Sequence, residues 1–261
     1  MKKTLFIFLG AVLGMLTTNC SVVPETGRNQ FNYISEKRES KLGKRAWRRY
    51  EKKRTIASDP KYNSSLNRVV GRMLRVVNAP NAKWEFVVFL DDKPNAVVLP
   101  NGKMGINTGL FHLAETEGCL AAAIGHEMGH VKARHVAERL SNKKAGSTAA
   151  FLAGLALQQS TGIPAGAVNA GVYIANSGRM IVLTKRQELE ADQLGVLLMA
   201  EAGYDPREAL TFWIKMKGYI EAHPDQFKSG IFASHPPIEK RIEAVQEIMP
   251  QALVVYHEVV K

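Results

Sequence analysis

The chain has 261 residues, of which 46% are hydrophobic, and a formal net charge of +11. This length and composition suffice to bury one substantial core, so we expect a single folded domain. Only 2 cysteines are present, which excludes a disulfide-stabilised scaffold and leaves the core and any bound metal as the sources of stability.

Residues 1–19 are predicted to be a signal peptide. Two early lysines precede a short apolar run, Leu5–Leu16, which is too short for a membrane-spanning helix. The following Cys20 resembles the lipid-attachment site of bacterial lipoproteins, although Thr17 and Asn19 depart from the residues usual before such a cysteine. We predict lipidation of Cys20, with simple secretion and a free thiol as the alternative.

The next two segments are predicted to be a tether and a basic helix. Residues 20–34 lack a periodic pattern, and the tether is assigned to them. Lys37–Arg54 is rich in lysine and arginine and carries apolar residues at helical spacing. The basic face is either a solvated surface or a contact with an anionic membrane, and nucleic acid is not expected as a partner of an exported protein.

A core helix and a small sheet are predicted next. The helix opens at Asp59-Pro60, an N-cap followed by proline. Three apolar runs, Trp84–Leu90, Asn95–Leu99 and Met104–Thr108, predict strands. The sheet either supports the following helix or offers an edge strand to an extended peptide.

An H-E-x-x-H motif, His126 to His130, lies within an apolar helical pattern that runs from about Glu117 to Leu140. Two histidines four residues apart share one helix face and can reach one cation at zinc distances of roughly 2.0–2.1 Å. Zinc lowers the pKa of its bound water to about 7, and the carboxylate of Glu127 could accept that water's proton. The motif predicts a peptidase metal site, and the alternative is an ordinary amphipathic helix.

The acidic residues of a later helix are candidates for completing this site. Ala145–Met180, rich in alanine and glycine, predicts closely packed helices or a mobile flap. Lys185–Ala202 is clearly helical, with Glu188 and Asp192 on one face and Glu190 pointing elsewhere. Glu188 could be the third metal ligand, while Asp192 hydrogen-bonds the outer nitrogen of a ligand histidine.

The C-terminal part is predicted to contain two helices and a strand. Asp205-Pro206 opens the first helix, and Ile238 begins a short second helix. Ala252–Val260 is predicted to be a strand.

Several short sequences together resemble one enzyme family. They are V-P-E-T-G-R at 23–28, N-A-V-V-L-P at 95–100, the H-E-x-x-H motif with His135, Glu188–Asp192, and Ser234-His235-Pro236. The family is that of the gluzincin zinc metallopeptidases grouped with HtpX and the CAAX prenyl protease, and the chain is most similar to the compact lipoprotein LoiP and the peptidase domain of BepA. The resemblance implies an α+β, mostly helical fold with a small β-sheet beside the H-E-x-x-H helix, over residues 35–261.

The resemblance also implies the residues of the active site. It makes His126, His130 and Glu188 the ligands of one Zn²⁺ per chain, Glu127 the catalytic base and Asp192 the support of a ligand.

The same resemblance assigns His235 one of two roles. It either stabilises the oxyanion of the tetrahedral intermediate or occupies the open metal position and keeps the enzyme latent. Arg241 is expected to act beside it, and His135 is interpreted as structural.

The function implied is that of a zinc-dependent endopeptidase of the bacterial envelope, an outer-membrane lipoprotein facing the periplasm. Its substrates would be unfolded or misassembled envelope proteins, and the lipid anchor would make the membrane a partner. The alternative is an assembly factor or chaperone-like binding module whose zinc site is blocked by His235.

Overall fold

The structure is a computed structural model that describes residues 20–80, 82–161, 165–227 and 237–261. The predicted signal peptide and His235 therefore lie outside the described residues. In chain order the described residues form β1 (Cys20–Val22), β2 (Asn29–Phe31), α1 (Glu36–Glu51), α2 (Pro60–Met73), β3 (Glu85–Phe89), β4 (Ala96–Val98), β5 (Lys103–Asn107), α3 (Thr108–Leu113), α4 (Glu117–Lys132), α5 (His135–Thr161), α6 (Ala165–Glu201), α7 (Arg207–Ala222), α8 (Pro224–Phe227) and α9 (Ile238–Val259).

The described residues fall into two compact units. The first contains residues up to Glu36 together with Val136–Met180, and the second contains Lys37–His135 together with Ile181–Lys261. The two longest helices, α5 and α6, each contribute to both units.

The first unit contains a small β-ladder and a buried ion pair. Strands β1 and β2 pair antiparallel. Next to β2, the guanidinium of Arg28 donates to the carboxylate of Glu138 on α5, with N···O distances of 2.7 and 2.8 Å. Both side chains are buried, so this pair joins the N-terminal segment to α5 within the unit.

The second unit contains the predicted sheet, with strand order β3-β5-β4. Strand β3 runs parallel to β5, whereas β4 runs antiparallel to it and forms an edge of the sheet. The three predicted strands are thus confirmed: the first two are slightly shorter than predicted, and the third is shifted by one residue. Strand β4 lies beside α4, which is the helix that carries the H-E-x-x-H motif.

Helices α2, α4, α7 and α9 pack around the core of the second unit. Helix α2 begins at Pro60 as predicted, because the side chain of Asp59 accepts a hydrogen bond from the backbone N–H of Lys61 at 3.0 Å. The predicted strand Ala252–Val260 is wrong, since α9 continues to Val259. Val245, Met249, Ala252 and Tyr256 recur at helical spacing and pack on the core, and this packing outweighs the β-branched composition of the tail.

The predicted continuous helix over Glu117–Leu140 is interrupted. Helix α4 ends at Lys132 and α5 begins at His135. Between them Arg134 adopts a left-handed conformation with φ of 53°, which is uncommon for a non-glycine residue. The guanidinium of Arg134 donates to the carboxylate of Glu39 on α1 at 2.9 and 3.0 Å, and this contact holds the turn.

Helix α1 is the predicted basic helix. Its buried side carries Glu39, Gly43 and Trp47, and Trp47 packs against Phe89 of β3 with ring centroids 6.0 Å apart. Within the described part of the chain, no helix is both long enough and apolar enough to cross a membrane. The opposite, exposed side of α1 carries Lys37, Arg38, Lys41, Lys44, Arg45, Arg48 and Arg49.

Candidate active site

The site forms where α4 and α6 approach each other backbone to backbone. A Cβ atom added at Gly195 of α6 would lie 2.6 Å from the backbone nitrogen of His126, and one added at Gly125 would lie 2.7 Å from the carbonyl oxygen of Gly195. Gly129 is equally confined, since its added Cβ would lie 2.9 Å from the carbonyl oxygen of Ala191. Because larger residues would separate the helices, these glycines place the motif beside the acidic turn of α6.

Three metal-ligating side chains converge at this crossing. The Nε2 atoms of His126 and His130 lie 3.2 Å apart. The carboxylate oxygens of Glu188 lie 3.5 Å from Nε2 of His126 and 3.4 Å from Nε2 of His130. All three side chains are buried, and their donor atoms could hold one ion. Two imidazoles and one carboxylate fit a catalytic zinc site, in which three protein ligands leave a further position for water or substrate.

His126 is supported from behind by a carboxylate and a guanidinium. Oδ1 of Asp192 lies 2.9 Å from Nδ1 of His126. On its other side Asp192 accepts two hydrogen bonds from Arg241, at 2.8 and 2.7 Å. The guanidinium of Arg241 stacks on Trp213 with its central carbon 3.6 Å from the ring centroid, and its Nη2 lies 3.2 Å from Nε2 of His126.

His130 is supported by a different set of groups. Its Nδ1 lies 2.8 Å from Nδ1 of His135, and Nε2 of His135 lies 3.0 Å from Oε2 of Glu190. His135 and Glu190 are both buried, at 0% and 5% exposure. This contact was not predicted from the sequence, in which His135 was interpreted as structural and Glu190 was expected to point elsewhere. The left-handed turn at Arg134 brings His135 behind His130, and no periodic pattern in the sequence indicates that turn.

Glu127 lies on the same helix turn as the two candidate ligand histidines, partly buried. The pKa of its carboxyl group is raised to about 7. Burial is the largest cause of this increase; the charge of His126 opposes it, and the nearby Glu188 carboxylate adds to it. The backbone of Val98, in the edge strand β4, lowers the pKa of this carboxyl group. A carboxyl group that titrates near neutral pH is suited to accepting and returning a proton.

The two candidate ligand histidines differ in their proton affinity in the metal-free protein. Burial and the Arg241 charge lower the pKa of His126, but Asp192 and Glu188 outweigh them and the pKa is raised to about 9. Burial dominates at His130 and lowers its pKa to about 3. His126 would therefore have to release a proton before binding a metal, whereas His130 would already be neutral at pH 7.

Comparison with known proteins places this arrangement in a family. Residues 60–249 match the model of Peptidase family M48, a range that contains the motif, the acidic turn and Arg241. The chain is 32% identical over 251 residues to the mitochondrial metalloendopeptidase OMA1 of Schizosaccharomyces pombe, covering 92% of this chain and 72% of that relative. It is 27% identical over 276 residues to the Saccharomyces cerevisiae protein of the same name, covering 98% of this chain and 77% of that relative.

A bacterial relative is also similar to most of this chain. The beta-barrel assembly-enhancing protease of Escherichia coli K12 is 23% identical over 237 residues, which cover 90% of this chain and 48% of the relative. Since the family match spans well over half of the chain and includes the whole described site, this chain belongs to peptidase family M48 and is a metalloprotease.

Proposed function

We propose that this chain is a zinc-dependent endopeptidase of the bacterial cell envelope that hydrolyses unfolded or misassembled envelope proteins. The observation that carries the proposal is the buried convergence of His126, His130 and Glu188 next to Glu127. The relatives, which include metalloendopeptidases and a beta-barrel assembly-enhancing protease, support the proposed reaction and substrate class.

The three convergent donors would hold one Zn²⁺. Bound zinc would supply Lewis acidity toward the scissile carbonyl and toward a water molecule. The protein contributes the fixed positions of the donors, which come from one turn of α4 and one side chain of α6. Their burial limits the water around the site and strengthens its electrostatic interactions.

Glu127 would move the proton in this reaction. Its carboxylate accepts a proton from the attacking water and returns it to the nitrogen of the leaving amine. The raised pKa of about 7 in the metal-free protein shows how strongly burial favours the protonated form, and nearby positive charge would bring the pKa down toward the working range.

The edge strand β4 would hold the substrate. Val97 faces Gly105 of β5 across the ladder, and the backbone groups of Ala96 and Val98 alternate with it, so they point away from β5. An extended peptide could pair with these groups by strand addition. The backbone of Val98 also lowers the pKa of Glu127; this proximity supports a substrate-binding role over a purely supporting sheet, because it places the strand edge next to the catalytic carboxylate.

The remaining predicted site residues enter the proposal with distinct roles. Asp192 would hold the ring of His126 through Nδ1, and Arg241 would hold Asp192. His235, which lies outside the described residues, is proposed to bind the oxyanion or to keep the site latent.

Lipidation of Cys20 would anchor the protein to a bacterial membrane. The relatives include both mitochondrial and bacterial proteins, so the envelope location needs its own test. Fractionation of cells that carry wild-type or Cys20→Ser protein would provide it.

The catalytic part is tested by digestion of unfolded casein with the full chain, both metal-replete and metal-stripped. The Glu127→Gln variant should bind one equivalent of zinc and lose about 10²–10⁴-fold in activity, the contribution typical of a general base. Glu115→Gln is a matched control, because Glu115 is exposed and forms an ion pair with Lys215; this variant should retain full activity.

The competing hypothesis is an assembly factor whose zinc is latent. It predicts that Glu127→Gln protein supports envelope assembly as well as the wild type and that neither protein digests casein. Digestion that requires both zinc and Glu127 would exclude this alternative.

A further inference from the structure

We propose that Glu190 and His135 are positioning residues for the metal ligand His130. In this arrangement Glu190 keeps the proton of His135 on Nε2, and His135 keeps the proton of His130 on Nδ1. Nε2 of His130 then presents its lone pair to the metal. The inference rests on the proposed function only in taking His130 as a metal ligand.

The positions of the protons follow from the contacts. The Nδ1 atoms of His130 and His135 are 2.8 Å apart, a distance at which one nitrogen donates and the other accepts. A neutral His130 whose Nε2 binds a metal carries its proton on Nδ1, so it must be the donor. His135 therefore accepts at Nδ1, carries its own proton on Nε2 and donates it to Glu190, 3.0 Å away.

The opposite direction of these two hydrogen bonds is incompatible with metal binding. If Glu190 were the donor, His135 would carry its proton on Nδ1 and would donate to His130. His130 would then carry its proton on Nε2, the atom that faces the other ligands. With an oxygen of Glu190 as the acceptor at Nε2 of His135, the hydrogen bonds run in the productive direction.

Burial and backbone geometry hold His135 in position between Glu190 and His130. His135 has 0% exposure, so water cannot replace either of its partners, and an unmade hydrogen bond would be costly. Its backbone carbonyl accepts a hydrogen bond from Nε2 of Gln187 at 3.3 Å. The residue before it, Arg134, is in the left-handed conformation and bonded to Glu39, which orients the start of α5 toward His130.

A structural role for the pair makes a different prediction. In that case the contact between His135 and Glu190 would only join α5 to α6, and its loss would lower stability without changing the proton positions of His130. The two roles are therefore distinguished by measurements of tautomers and of metal affinity.

The test uses the full chain, ¹⁵N-labelled at histidine, with and without Zn²⁺. Long-range ¹H–¹⁵N correlations identify which ring nitrogen carries the proton. In the zinc-loaded protein we expect His135 protonated on Nε2 and His130 protonated on Nδ1. A His135 ring protonated on Nδ1 would overturn the proposal, and this result can be read on the wild type even if no variant folds.

The second measurement is zinc affinity by competition with a chelator. Glu190→Gln should weaken zinc binding by about 10–100-fold, as loss of such support typically does, because the amide can also donate and so permits the wrong tautomer. Glu138→Gln is the matched control, since Glu138 is a buried glutamate at 3% exposure whose ion-pair partner, Arg28, lies with it in the first unit. It should lower stability and leave zinc affinity unchanged. Equal zinc affinities for wild type and Glu190→Gln would refute the positioning role.

Failure of the proposed function would give a separate result. If His130 were not a ligand, zinc would leave the Nε2 signal of His130 unshifted in the wild type.

Discussion

His126 and His130 stand one turn apart on the same helix, yet the groups behind them differ. Asp192 contacts His126 directly, and Arg241 neutralises that carboxylate. Behind His130 a second imidazole intervenes, and the carboxylate of Glu190 is one group farther away. The pKa values of about 9 for His126 and about 3 for His130 reflect this difference. Two residues of one motif can therefore face a metal symmetrically while the protein controls their protons by different means.

Removal of the Asp192 charge should have the largest effect on stability and on zinc affinity. Asp192→Asn leaves the buried guanidinium of Arg241 without its carboxylate, and breaking such a pair costs about 3–5 kcal/mol of folding free energy. Zinc affinity should also fall by about 10–100-fold. Chemical denaturation and chelator competition measure the two effects.

The double variant Asp192→Asn/Arg241→Met sharpens that result. With both charges removed, most of the lost stability should return, because no uncompensated ion remains buried. Zinc affinity should stay low, since His126 still lacks its charged partner. If affinity and stability recovered together, Asp192 would act on the site only through the fold.

Gly195→Ala should disturb both histidines together. The added methyl group would lie 2.6 Å from the backbone nitrogen of His126, so the helices must separate, at a cost of about 1–3 kcal/mol. Thermal unfolding and zinc stoichiometry should both be affected. Gly218→Ala is the control, because Gly218 lies inside α7 with nothing within 4 Å of its added Cβ, and its unfolding free energy should be unchanged or slightly higher.

Thr116→Ala should have a smaller effect that spares the site. The Thr116 hydroxyl accepts a hydrogen bond from the backbone N–H of Cys119 at 3.1 Å and caps α4. Loss of a cap costs about 1 kcal/mol, which equilibrium denaturation would resolve. Zinc affinity should stay within error of the wild type, because the cap lies more than two turns from His126; a clear loss would mean that helix start and site are coupled.

The thiol of Cys119 should show the smallest effect, which is measured as its rate of alkylation. Burial raises its pKa, and the nearby Glu208 carboxylate adds to this. The folded protein therefore keeps the thiol protonated at a pH where an exposed cysteine has begun to ionise, and this contribution to stability is lost as the pH rises through the folded pKa. Alkylation at the peptide containing Cys119 should be slower in native than in denatured protein, with its rise displaced to higher pH. Equal rates would show that α4 opens readily.

The parts of the site that depend on local spacing could be predicted from the sequence. His126, Glu127 and His130 share one helix, and the four-residue separation of Glu188 and Asp192 sets both on one face. The contact between His135 and Glu190 could not be predicted, because it depends on a turn at Arg134 that a residue of α1 stabilises. The C-terminal strand was predicted wrongly for a related reason: Val254 and its neighbours favour a strand locally, and tertiary packing of α9 prevails.

The carboxylates of the site are concentrated on one stretch of chain. Glu188, Glu190 and Asp192 lie within five consecutive residues of α6, a length of about 7 Å along a helix axis. Local unfolding of this segment would remove the candidate ligand Glu188 and the supporting carboxylates of Glu190 and Asp192 simultaneously. Metal release and local melting are then one cooperative event, which amide hydrogen exchange at these residues would record as a common opening rate.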